Sequence, residues 1–67
     1  MLPRIVECRA WLEDFVKRNQ PIEPKAVYVA GSAKGFSRTE IKAARRWFGN
    51  YIETDDPEGR ARWRWVR

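Results

Sequence analysis

Six side chains between positions 37 and 46 are of the types that recognise phosphates and base edges: Ser37, Arg38, Thr39, Lys42, Arg45 and Arg46. Arginine can pair bidentately with guanine, lysine can donate to it, and threonine can touch a base edge or a thymine methyl. A serine hydroxyl and the free N–H groups of a helix's first turn suit a phosphate. The spacing orders these residues in space. At about 100° per residue, Ile41, Ala44 and Phe48 make one apolar stripe, and Thr39, Lys42 and Arg46 point almost directly away from it. Arg38 and Arg45 lie on one flank, Glu40 and Trp47 on the other, and the small Ala43 also faces outward. A second basic series, Arg60, Arg62 and Arg64, alternates with Ala61, Trp63 and Trp65. At a strand's period of two, the arginines share one face and the apolar residues the other.

Several chemistries are excluded by what is missing. The chain has one Cys and no His. An intramolecular disulfide is impossible, the common zinc patterns lack ligands, and the usual general base is absent. With no nucleophile–base pair in view, the sequence points away from an enzyme, and no cofactor or metal is expected. The acidic run Asp55-Asp56-Pro57-Glu58-Gly59 offers hard oxygen ligands, but it does not match a calcium loop and has ordinary turn composition. Gly31-Ser32-Ala33-Lys34-Gly35 lacks the spacing of a phosphate loop. Cys8 falls on an apolar face, as a buried structural thiol would.

Charge points to a polyanionic partner. Fourteen Lys and Arg against nine Asp and Glu leave +5 in 67 residues, although such an excess also serves solubility. Arg4, Glu7 and Arg9 interrupt the N-terminal apolar residues, so neither a signal peptide nor a membrane span is expected. A cytoplasmic domain is the expectation.

The elements that must position these residues follow from period and punctuation. Ile5, Cys8, Leu12 and Phe15 recur at helical spacing, with Trp11 and Val16 beside them. They predict a first helix over about 3–19, with Pro3 in its first turn. Pro21-Ile22-Glu23-Pro24 reads as a connection. A second helix is expected over about 24–34, burying Ile22, Ala26, Val27, Ala30 and Ala33. Val27-Tyr28-Val29 would also suit a strand, but Gly35 is placed to end a helix in the left-handed conformation. Ser37 and Glu40 form a capping-box pattern that opens a third helix over about 38–48, closed by Gly49. The period then changes to two. Asn50–Thr54 and Arg60–Val66 predict a hairpin over about 50–66, with the acidic run as its turn. Trp63 and Trp65 are expected to close the core rather than to form a base-stacking platform. The fold class is therefore α+β: three helices followed by a two-stranded β-hairpin, the order of a winged helix-turn-helix domain.

One set of these residues resembles a known family. Trp11-Leu12, Gly35-Phe36-Ser37, Ile41, Ala44-Arg45, Phe48-Gly49 and Trp63-Arg64-Trp65 are similar to the small domain at the C-terminus of phage and plasmid primase-type, RepA-like ATPases. The resemblance covers about residues 11–66. Ser37, Ala44, Arg45, Gly49, Trp63 and Trp65 match the pattern, whereas Glu40 stands for a Thr and Asn50 for a Val. It implies a winged-helix fold and a place in mobile-element replication or regulation.

The expected function is double-stranded DNA binding. The third helix would lie in the major groove, with Arg60, Arg62 and Arg64 touching phosphates from the wing strand. Those arginines could equally serve to protect an exposed sheet edge from aggregation. The carboxylates of the hairpin turn would repel phosphates, so the strand rather than the tip would make any wing contact. The alternative is a protein-interaction winged helix that docks a partner, or a second copy, through an exposed aromatic or the acidic turn.

Overall fold

The computed structural model describes residues 4–55 and 61–66. Three helices, α1 (Arg4–Asn19), α2 (Pro24–Ala33) and α3 (Arg38–Phe48), are followed by a 3₁₀ turn (Gly49–Tyr51) and two strands, β1 (Ile52–Asp55) and β2 (Arg62–Trp65). The architecture is α+β, with β1 and β2 forming an antiparallel hairpin. Pro3, Asp56, Pro57, Glu58, Gly59 and Arg60 lie outside the described residues.

One core serves all five elements. Cys8, Leu12 and Val16 of α1 recur every fourth residue and are fully buried. They meet Val27 of α2, the Ile41, Ala44 and Phe48 stripe of α3, Ile52 of β1 and Trp63 of β2. Trp11, Phe15, Ile22, Tyr28, Phe36 and Trp65 pack around this centre. No helix among the described residues is long and apolar enough to cross a membrane.

The α2–α3 connection is set by backbone hydrogen bonds. Phe36 N–H donates to Gly31 O and Gly35 N–H to Ser32 O, both at 2.9 Å. Gly35 sits at φ +89°, so the pair is a Schellman motif, whose left-handed residue favours glycine. Ser37 then caps α3. Its hydroxyl accepts from Glu40 N–H at 3.1 Å while Glu40 Oε1 accepts from Ser37 N–H at 2.8 Å. The turn thus occupies four residues, 34–37, which suits a helix-turn-helix connection.

Four sequence expectations are corrected. Ala26 and Ala33 are exposed, whereas Gly31 is buried with Val27. Alanine periodicity suggested one inward face, but α2 meets α3 through the glycine, which permits the closest approach. Asn50 and Tyr51 belong to the 3₁₀ turn, so β1 begins at Ile52; the turn lets the chain reverse after Gly49 before pairing begins. Ala61 is exposed, because pairing starts only at Arg62. Ile5, expected on the buried stripe, is 43% exposed on the flank of α3.

The segment between α1 and α2 is more than a connection. Ile22 N–H donates to Trp63 O at 3.0 Å and Trp63 N–H donates to Ile22 O at 2.6 Å. Trp65 N–H donates to Gln20 Oε1 at 2.9 Å. The Ile22 backbone and the Gln20 side chain therefore occupy the second edge of β2 and tie the hairpin to the segment that follows α1.

The Gly31 contact is open to a direct test. A Cβ there would collide with Ile41 Cδ1 and lie 3.2 Å from Trp11 Cη2. Alanine gains about 1 kcal/mol of helix propensity, but overpacking a core costs about 1–3 kcal/mol. Ile41 is fully buried, so its displaced side-chain end must repack inside the core, and overpacking is expected to win. Gly31→Ala is expected to lower the thermal midpoint by several degrees, at about 4–8 °C per kcal/mol for a domain this small. A midpoint at or above wild type would show that Ile41 repacks freely.

Candidate functional site

The outward face of α3 is set by its buried stripe. With Ile41, Ala44 and Phe48 fixed in the core, Ser37, Arg38, Thr39, Lys42, Ala43 and Arg46 are all exposed. Arg4 of α1 forms an ion pair with Glu40 Oε2 and locks the start of α1 to the start of α3. The α3 face is therefore joined on one side by the first turns of α1. Together they form a shallow groove, with Ile5, Ala43 and Trp47 as its apolar floor and Arg9, Thr39, Lys42 and Arg46 along its rims.

The structure separates the basic residues into two groups. Among the described residues four cations pair with acids: Arg4 with Glu40, Lys17 with Glu13, Arg18 with Asp14 and Arg64 with Glu53. Arg9, Lys42 and Arg46 have no ion pair among the described residues, and no carboxylate lines their groove. Arg38 is also without an acid; its guanidinium lies 4.8 Å from the Tyr28 ring centroid, at the α2 side of the same face. Among the described residues, Arg9, Arg38, Lys42 and Arg46 thus cluster on α3 and the adjoining part of α1, while Lys25 on α2 and Lys34 after it also have no ion pair.

Arg45 goes elsewhere. It is half-buried and its guanidinium lies 5.4 Å from the Trp63 ring centroid. It donates to Gly49 O and to Thr54 Oγ1, each at 3.4 Å. Burial pulls its pKa below the ordinary arginine value, with Tyr28 opposing. The group bridges α3 to the hairpin and is not presented with Lys42 and Arg46.

Arg62 and Arg64 are likewise less free than their alternation suggests. The register sets Glu53 opposite Arg64 and Asp55 opposite Arg62. Directly opposed residues share a face of the sheet, so two acids and two arginines balance there. The Glu53–Arg64 pair measures 3.6 Å. Arg60 is not among the described residues.

Arg9 and Trp47 form a unit that spacing along the chain does not reveal. Trp47 is 60% exposed and the Arg9 guanidinium lies 4.2 Å from its ring centroid. Each sits on its own helix as an ordinary flank residue; only the crossing of α1 and α3 brings them together.

The chain matches no protein-family model, no curated protein and no solved structure.

The cap that starts this face is pH-sensitive. The backbone hydrogen bond from Ser37, and then the side-chain bond from Arg4, hold the Glu40 carboxyl below the usual glutamate value. A carboxylate depressed in the folded state stabilises it above the unfolded-state pKa, and that contribution fades as pH falls through the folded one. Wild type should therefore lose melting temperature between about pH 6 and about pH 3. Glu40→Gln should melt lower at the upper pH and lose less on acidification. Equal acid sensitivity in thermal melts of the two proteins would show that the carboxylate charge adds nothing to the cap.

Proposed function

We propose that the chain is a winged helix-turn-helix domain that binds double-stranded DNA. In this reading α3 lies in the major groove, with Arg38, Thr39, Lys42 and Arg46 toward the DNA and Ser37 at the helix start near a phosphate. The observation that carries the reading is the gathering of acid-free cations on the exposed face of a capped helix that follows a four-residue turn. Arg45 acts within the protein by holding the hairpin to α3. The hairpin would form the wing. Its outer face makes Arg62 and Arg64 secondary contacts at most, since Arg64 is paired with Glu53 and Asp55 stands opposite Arg62, where it would repel a phosphate.

The resemblance to the C-terminal domain of RepA-like ATPases suggests the setting, which we take to be regulation or replication in a phage or mobile element. A protein-docking role has one specific observation in its favour, the exposed Trp47. Binding of a partner that persists at high salt and survives Arg46→Ala would mark that role.

The duplex reading is tested by fluorescence anisotropy with a random-sequence duplex across a salt series. The logarithm of the wild-type binding constant should fall linearly with log salt, with a slope of about −0.9 per phosphate neutralised. An Arg38→Ala/Lys42→Ala/Arg46→Ala variant, checked for fold by circular dichroism, should lose most of that binding. A folded wild-type protein that fails to bind at low salt would overturn the reading.

A further inference from the structure

We infer that Arg9, held against the Trp47 ring, is a phosphate-binding residue that extends the duplex contact of α3 across the groove onto α1. The inference rests on the duplex reading above and adds to it a contact from an element outside the helix-turn-helix pair.

Three features single out Arg9. Its guanidinium is positioned, lying 4.2 Å from the indole centroid. Its Nε is shielded from solvent and makes no hydrogen bond among the described residues, and neither Nη group has a partner there either. The Nη donors are left to a group outside the chain. Stacking on an aromatic face also restricts an arginine in advance, so less side-chain freedom is lost when a ligand binds.

The surroundings select the ligand's charge. Lys42, Arg46 and Thr39 of α3 line the same groove, and no carboxylate among the described residues lines it. Three unpaired cations around one concavity call for a polyanion. Duplex DNA presents about one negative charge per 1.7 Å of its axis, and a strand following the edge of the α3 footprint would pass over this groove. An acidic protein segment shares the charge. The continuity of Arg9 with Lys42 and Arg46, which already belong to the DNA face, favours the nucleic-acid backbone. Trp47 is here a positioning residue: it holds the guanidinium and need not touch DNA itself.

The test compares the whole chain with Arg9→Gln, Arg9→Lys, Trp47→Leu and the Arg9→Gln/Trp47→Leu pair in the same salt-series titration. Arg18→Gln serves as the charge control; Arg18 lies at the far end of α1, paired with Asp14. Thermal melts establish that each variant is folded. Arg9→Gln should weaken duplex binding about tenfold, as loss of one charged hydrogen-bonding contact does, and should shallow the salt slope by about 0.9. Arg9→Lys should recover part of the affinity and most of the slope, because it keeps the charge without the planar stack. Trp47→Leu should weaken the wild type several-fold but add little to Arg9→Gln, since both act through one contact. Arg18→Gln should change the slope little. If Arg9→Gln binds like Arg18→Gln while the α3 variant loses binding, this inference falls and the duplex reading stands, leaving the groove to an acidic protein segment. If folded wild type binds no duplex at low salt, both fall together.

Discussion

A glycine inside a ten-residue helix costs about 1 kcal/mol relative to alanine, yet the arrangement of the three helices depends on Gly31 having no side chain. A Cβ there would clash with Ile41 Cδ1 and crowd Trp11 of α1. The same residue's carbonyl accepts the N–H of Lys34 and of Phe36, which completes the turn into α3. Phe36 then lies 5.7 Å from Trp11, and Trp11 stacks on Phe15 at 5.0 Å, both between ring centroids. One position therefore sets how near α2 comes to α3, where α3 starts and which rings fill the seam with α1. The local penalty is offset by burying Ile41 completely.

Once α3 is placed, charge sorts itself by which elements come to face one another. The hairpin register opposes Glu53 to Arg64 and Asp55 to Arg62, which leaves that face near neutral. Arg4 takes Glu40, and α1 pairs Lys17 and Arg18 with acids one turn back. Exposed pairs of this kind add little stability, typically 0–1 kcal/mol as an order of magnitude. Their consequence is electrostatic: among the described residues, Lys42 and Arg46 on α3 and Arg9 on α1 are left without an acid around one groove. A polyanion would be attracted to that side rather than to the hairpin.

The hairpin is held by side chains as much as by its own ladder. A two-stranded sheet alone is marginal in water. Here Trp63 is buried against Tyr28 and under Arg45, and Ile22 pairs with its backbone from the other edge. Arg45 thereby gives up a place on the basic face to stabilise the junction of α3 and β1.

Helix spans, the Ser37–Glu40 cap, the left-handed Gly35 and the core stripe of α3 are all properties of neighbouring residues, and the sequence by itself determined them. Period and capping depend on fixed local geometry, so Cys8, Leu12, Ile41, Ala44, Phe48 and Trp63 were legible as core, and Thr39, Lys42 and Arg46 as outward. What only the tertiary structure decided is which residues meet across elements. Ala26 and Gly31 both suit the inward side of a helix, and the rotation of α2 against α3 chose the glycine. Arg45 and Arg46 are adjacent in the chain, yet one turns to Trp63 and the other to the groove. The register that balances Arg62 and Arg64, and the crossing that sets Arg9 on Trp47, depend on turns and interhelical packing. Spacing along a chain encodes the direction of a side chain about its own axis, not the identity of what stands opposite.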